Sequence, residues 1–120
     1  MFFEPGGNMP AWMWDPQIQY FAGHYHVVAL DPRSQGDSDK PLEGNSPERR
    51  AQDIKELVDH LKLAPVVLVG WPLAAPELLS YAEQFGGGQV RAYVARRWLR
   101  LGQTGRAVRH RHARHVLPER

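Results

Sequence analysis

Apolar residues along this chain form short continuous runs that alternate with stretches of helical spacing. The continuous runs predict strands, and the stretches with apolar residues three or four positions apart predict helices. We expect strands at residues 2–3, 26–30, 65–69 and 90–94, and helices at 13–21, 47–61 and 77–85. This alternation predicts an α/β fold, a three-layer sandwich with a short, mostly parallel sheet.

The second predicted helix has the clearest local signals. Ser46 is a preferred N-cap, Pro47 suits the first helical position, and Glu48 favours the positive helix end. One apolar stripe follows at helical spacing: Ala51, Ile54, Leu57, Val58 and Leu61. The third helix is expected to turn these residues inward: Leu78, Leu79 and Ala82.

Charge divides the chain into two parts. Residues 91–120 contain nine arginines and one acid, Glu119, whereas residues 1–90 carry six basic and twelve acidic side chains. The periodicity fails from Ala95 onward, and composition there is biased toward Arg and His. We therefore predict an ordered domain over residues 1–94 and a basic, irregular tail over 95–120 that is disordered or loosely helical.

Composition narrows the classes of protein further. The chain has no cysteine, which excludes disulfides, thiol nucleophiles and thiolate metal sites and fits a reducing compartment. Its start lacks the pattern of a signal peptide, and the longest apolar run, residues 63–76, is too short to span a bilayer. We expect a cytoplasmic protein without membrane contact, cofactor or metal.

Three blocks of residues resemble α/β-hydrolases of the esterase, haloperoxidase and epoxide-hydrolase type. Pro5–Asn8, followed by Ala11–Trp14, resembles the family's oxyanion loop, and Asp31–Ser38 resembles its D-x-R-G-x-G-x-S loop. Val66–Ala74 resembles the strand and the nucleophile elbow G-x-S-x-G. The resemblance covers about residues 1–94 and implies an α/β-hydrolase-like fold, with small-molecule esters as substrates of intact relatives.

The resemblance also implies site residues. The backbone N–H groups of Gly7 and Leu73 are oxyanion-hole candidates, with a glycine turn that binds nothing as the alternative. Asn8, Trp12 and Trp71 are candidates for lining a pocket, and core packing is an equal alternative for the two tryptophans.

Proline stands at the central position of the elbow. The segment reads Gly70-Trp71-Pro72-Leu73-Ala74, so Pro72 occupies the nucleophile position and offers no hydroxyl. The family's elbow has positive φ at the nucleophile, whereas proline fixes φ near −65°. We expect a relaxed turn, with Trp71 extended because residues before proline prefer that conformation.

Other family positions have no match, namely the catalytic acid, the late histidine, the cap region and the outer strands. We therefore predict a catalytically inactive fragment, a pseudoenzyme of the family. The charge break beside the end of the resemblance favours a shifted reading frame for the tail, which the DNA in the other two frames would test. The alternative function is a non-catalytic binding protein whose basic tail contacts anionic partners or nucleic acid weakly.

Other residues of interest have simpler interpretations. Asp31, Asp37 and Asp39 are expected to stabilise their loop rather than to act as acids or bases. His24 and His26 are expected at the surface, and His60 at a helix end. A metal site at His110, His112 and His115 is disfavoured by the surrounding arginines. The two exposed edges of so short a sheet favour self-association.

Overall fold

Four parallel strands form the sheet that the apolar runs predict. A computed structural model describes residues 1–95 of the 120. The strands are β1 (Phe2–Glu4), β2 (Val28–Ala29), β3 (Val66–Gly70) and β4 (Val90–Ala95), in the order β2-β1-β3-β4. The helices are α1 (Asp15–Phe21), α2 (Pro47–His60) and α3 (Ala75–Phe85), and single 3-10 turns occupy Ala11–Trp14 and Pro72–Ala74. The predicted alternation and parallel pairing are confirmed.

Helices cover both faces of the sheet, as the three-layer prediction requires. Neighbouring residues of a strand point to opposite faces, so Phe2 and Phe3 enter different cores. Phe2 packs with α2 and α3 in a core that is completed by these residues: Ala51, Ile54, Val58, Val66, Leu68, Leu78 and Tyr81. Phe3 packs on the α1 side with Trp14 and Val69. The two adjacent phenylalanines therefore hold the outer layers on either side of β1.

The start of α2 matches its sequence signals. Ser46 is the N-cap, and its side chain accepts a hydrogen bond of 3.2 Å from the Arg49 N–H. Pro47 lies at the first helical position, with Glu48 in the first turn. Most of the predicted stripe is buried, but Leu61 lies beyond the last helical residue and is 39% exposed.

Two details of the predicted elements are wrong. The strand predicted at residues 26–30 is only two residues long, and its side chains are half-buried, because β2 is an edge strand that pairs with β1 alone. Leu79 was expected to face inward but is 65% exposed. Glu77 and Tyr81 lie on the buried face of α3 together with Leu78.

The sheet has two unpaired edges, formed by β2 and β4 within the described residues. Self-association through these edges stays a prediction. None of the helices described in residues 1–95 is long and apolar enough to cross a membrane.

Candidate functional site

The candidate site lies where the chain changes direction across the sheet. β1 is followed in sequence by its neighbour on one side, β2, and β3 then pairs on the other side of β1. In open α/β sheets, the carboxyl ends of strands at such a switch point form the usual binding crevice. Glu4 ends β1 beside Gly70 of β3, and the Trp71 N–H donates to the Glu4 carbonyl oxygen at 3.1 Å. The loop after β1 and the turn after β3 therefore start side by side.

The turn after β3 does not have the strained shape of an elbow. Trp71 is extended, with φ −69° and ψ 161°, and Pro72 begins the 3-10 turn. The Ala74 N–H donates to the Trp71 carbonyl oxygen at 2.8 Å. The residues with positive φ outside glycine in the described part are Asn8, Ser34 and Lys62, so none lies in this turn. The expected relaxation of the turn is confirmed.

The loop after β1 contacts the turn closely at Gly6. Gly6 has φ +77°, and a Cβ atom placed on it would lie 2.4 Å from the Ala74 nitrogen and from the Leu73 carbonyl carbon. The next residue, Gly7, has open space around the same position. The loop that carries Gly7 and the turn that carries Leu73 are thus in backbone contact. That the two N–H groups point at one oxygen atom stays a prediction.

The pocket candidates occupy different surroundings. Asn8, in left-handed conformation with φ 61°, borders an open hollow of about 260 Å³ together with Met9, Pro10, Ser34, Gln35 and Gly36. Trp12 is 70% exposed, and neither Trp12 nor Trp71 is among the residues of that hollow. Trp71 is half-buried and packs edge-on against the buried Trp14, with ring centroids 6.0 Å apart. A pocket role for the two tryptophans stays a prediction.

Asp31, the first residue of the Asp31–Ser38 loop, has a structural role. Asp31 Oδ1 accepts a hydrogen bond of 2.6 Å from the Ala11 N–H, and Oδ2 accepts one of 3.1 Å from the Asp37 N–H. The Ser38 hydroxyl donates to the Asp31 carbonyl oxygen at 2.6 Å. Asp31 therefore connects its own loop to the 3-10 turn before α1. No group of acidic or histidine side chains in residues 1–95 is arranged to hold a metal ion.

The histidines of the described residues lie at the amino ends of the parallel strands, whereas Pro72 lies at their carboxyl ends. His24 and His26 precede β2, and His60 ends α2 before the chain enters β3. In a parallel sheet all strands start on the same side, so residues that precede strands lie together there, one strand length from residues such as Pro72 that follow a strand. A strand of five residues is about 16 Å long. The three side chains are exposed, as expected, and a strand length separates them from the turn.

Sequence reasoning missed a buried charged cluster beside this turn. Glu4 is 1% and Glu77 is 3% exposed, and Arg50 of α2 donates from Nη1 to Glu77 Oε1 at 3.0 Å. The Gly6 N–H donates to Glu4 Oε1 at 3.1 Å. An acidic residue at the end of a hydrophobic strand was the only available signal, and nothing in the sequence pairs it with Glu77 or Arg50.

Burial changes the acidity of both carboxyl groups. It raises the pKa of Glu4 well above the ordinary value of 4.5; the neighbouring Glu77 raises it further, whereas the Gly6 N–H and Arg50 act against the rise. Burial also raises the pKa of Glu77, although its bonds to Arg50 and Glu4 lower it in part. Of the two carboxyl groups, Glu4 therefore holds a proton more readily, and Glu77, which accepts from Arg50, ionises more readily.

Comparison with known proteins identifies the family. The family model for the alpha/beta hydrolase fold matches residues 1–97. The chain belongs to the α/β-hydrolase fold family. A non-heme chloroperoxidase of Streptomyces lividans is 35% identical over 107 residues, which are 88% of this chain and 34% of that protein. A bifunctional esterase/perhydrolase of Acinetobacter calcoaceticus is 31% identical over 80% of this chain and 31% of its own length.

Solved structures of α/β-hydrolases superpose on the same part of the chain. The bromoperoxidase of Bacillus anthracis has a TM-score of 0.75 at 25% identity and covers 78% of this chain and 34% of its own. Est816, described as an N-acyl homoserine lactone degrading enzyme, has a TM-score of 0.74 at 26% identity over 78% and 36%. The predicted fold is thereby confirmed, and this α/β-hydrolase chain spans about a third of the length of the relatives it matches.

Several predictions for the tail lie outside the described residues. They concern the Arg-rich segment from residue 96 onward, including its histidines at 110, 112 and 115, its contact with anionic partners and its disorder. The shifted-frame hypothesis for the same segment is likewise a matter for the DNA.

Proposed function

We propose that this α/β-hydrolase family member does not hydrolyse esters by the nucleophilic route of the family. Pro72 carries the proposal. It follows the central strand β3 at the position where the resemblance places the nucleophile, and its side chain has no group that can attack a carbonyl carbon. Without a nucleophile, no covalent acyl intermediate forms at this turn.

The backbone around Pro72 supports the same conclusion. A nucleophile elbow presents its side chain from a sharp, strained turn, whereas Trp71 to Ala74 follow extended and 3-10 conformations. A serine side chain introduced at position 72 would therefore start from a backbone conformation different from that of a nucleophile elbow. Oxyanion stabilisation and binding alone supply only a small part of the acceleration in triad enzymes, roughly 10³–10⁴-fold over water.

The surroundings of Pro72 also lack a general base among the described histidines. His24, His26 and His60 precede strands and so lie at the amino ends of the sheet, away from Pro72. A serine at position 72 needs a base within hydrogen-bond reach, about 2.6–3.2 Å, to become a nucleophile. We infer that a single substitution to serine does not create an esterase.

An activated ester such as p-nitrophenyl acetate tests this proposal, because the relatives include an esterase/perhydrolase. The full chain, Pro72→Ser and Pro72→Ala are compared at equal concentration with heat-denatured samples of each. We expect all three folded proteins to match their denatured controls. Circular dichroism of each sample establishes that the variants are folded.

Two results contradict the proposal in different ways. Saturable turnover by the unaltered chain, blocked by a serine-directed inhibitor, would show that a nucleophile other than residue 72 exists. Turnover by Pro72→Ser at more than about tenfold the Pro72→Ala rate would show that a base does reach this turn.

A further inference from the structure

Two carboxyl groups and one guanidinium form a buried cluster beside the turn, independently of the proposed function. Glu4 closes β1, Glu77 lies in the first turn of α3, and Arg50 belongs to α2. Arg50 reaches Glu77 Oε1 through Nη1 and the Arg33 carbonyl oxygen through Nη2, at 3.0 and 3.4 Å. The cluster therefore connects β1 to both helices on one face of the sheet.

The cluster has one positive charge for two carboxyl groups. Arg50 and Glu77 are the charged groups that act on Glu4, and Arg50 and Glu4 are those that act on Glu77. Two ionised carboxylates at this depth would leave one negative charge uncompensated, which is costly in a protein interior. A single proton on the two carboxyl groups makes the cluster neutral overall.

The hydrogen bonds of the cluster also require a proton. The Glu4 and Glu77 carboxyl groups are in hydrogen-bonding contact. Yet Glu4 Oε2 and Glu77 Oε2 are both buried, and with both groups ionised neither has a donor in residues 1–95. A carboxylate only accepts hydrogen bonds, whereas a protonated carboxyl group also donates one. One proton between them makes one carboxyl group the donor and leaves the other as its acceptor.

We propose that Glu4 and Glu77 form a proton-binding site, in which a neutral Glu4 donates its O–H to the Glu77 carboxylate that Arg50 holds. The proton links the carboxyl end of β1 to the first turn of α3. The loop after β1 and the 3-10 turn before α3 lie between these two points and are in contact at Gly6. Attachment of the loop to the turn therefore depends on pH.

The direction of the pH effect follows from linkage. The folded protein holds this proton above the pH at which an unfolded glutamate releases it, near 4.5. The resulting stability is fully present below pH 4.5 and is lost as pH rises through the folded pKa. Over that window, one extra bound proton in the folded state raises the unfolding equilibrium constant by about tenfold per pH unit.

Glu4→Gln tests the site, because glutamine keeps the shape and the hydrogen-bond donor of a neutral glutamic acid but cannot titrate. Urea unfolding of the full chain is followed between pH 5 and 8 for the unaltered protein, Glu4→Gln and the control Glu83→Gln. Glu83 is an exposed carboxylate on the same helix as Glu77. We expect Glu4→Gln to lose the tenfold-per-unit dependence and Glu83→Gln to retain it. An unchanged pH dependence in Glu4→Gln would overturn the proposal.

A second measurement does not depend on the variant folding well. Infrared spectra of the unaltered protein, with and without ¹³C-labelled glutamate, report protonated carboxylic acid directly. At about pH 6 an ordinary glutamate is almost fully ionised, so we expect one labelled carboxylic acid band, retained in Glu83→Gln. The absence of that band in the unaltered protein would refute the shared proton.

Discussion

Alanine in place of Gly6 is expected to destabilise the fold strongly, because its methyl group has no room. The new Cβ atom would lie 2.4 Å from two backbone atoms of the Leu73–Ala74 peptide, which cannot rotate away as a side-chain end does. Alanine also has to adopt φ +77°, at a cost of roughly 1–2 kcal/mol. Displacement of a packed neighbour costs typically about 1–3 kcal/mol.

These costs act against one small gain. Alanine reduces the freedom of the unfolded chain, which stabilises by about 0.4–1 kcal/mol where the backbone is compatible. The net expected loss is about 1–5 kcal/mol in the free energy of unfolding. That loss corresponds to a rise of about 5- to 4,000-fold in the unfolding equilibrium constant.

Gly7→Ala is the matched control one residue away. Gly7 has no atom within 4 Å of the same Cβ position and is not among the glycines with positive φ. We expect Gly7→Ala to leave stability unchanged or to raise it by up to about 1 kcal/mol.

Urea unfolding monitored by tryptophan fluorescence measures both variants. Trp14 and Trp71, which pack on each other close to this loop, report the transition. With an m-value of about 2 kcal/mol per M, the midpoint for Gly6→Ala is expected to fall by about 0.5–2.5 M. If the free energies of unfolding of Gly6→Ala and Gly7→Ala agreed within about 0.5 kcal/mol, the argument that the loop is in backbone contact with the turn would be refuted.

Two further predictions concern α3 and the sheet edge. The Tyr81 hydroxyl is buried without a partner in the described residues, and burial raises the pKa of Tyr81 to about 12. Tyr81→Phe is therefore expected to keep or raise the urea midpoint, and a loss above about 1 kcal/mol would reveal a hydrogen bond to that oxygen. Val94, 41% exposed on the edge strand β4, favours edge pairing, so Val94→Lys should lower the self-associated fraction in sedimentation velocity. An equal effect of Leu79→Lys, on the exposed face of α3, would assign any association to general surface hydrophobicity instead.

Local signals in the sequence predicted most of the fold. Ser46 and Pro47 define the start of α2 because a cap acts within one helical turn, and the β-branched run of β3 indicates a strand that is buried from both sides. The length of β2 was not predictable from its apolar residues, since it depends on whether a neighbour continues beside it.

The candidate site was predictable only in part. Pro72 is visible in the sequence, and its effect on Trp71 follows from the chemistry of the residue itself. Burial of Glu4 and Glu77 depends on Arg50, 46 positions from Glu4 and 27 from Glu77 in sequence, and on their meeting across one face of the sheet. The inward prediction for Leu79 failed for a related reason, because Glu77 and Tyr81 occupy the buried face of α3 instead.

Parallel pairing in the order β2-β1-β3-β4 has a consequence for how the protein forms during synthesis. Phe2 pairs with Val28 on one side and with Leu68 on the other, so no strand has a partner in an adjacent hairpin. A ribosome adds about 5–20 residues per second, so the second partner of Phe2 follows it after roughly 3–13 seconds. Over that interval the nascent chain carries Phe2 without β3 and α3, two of the elements that bury it, so we expect this apolar side chain to stay exposed until β3 is made.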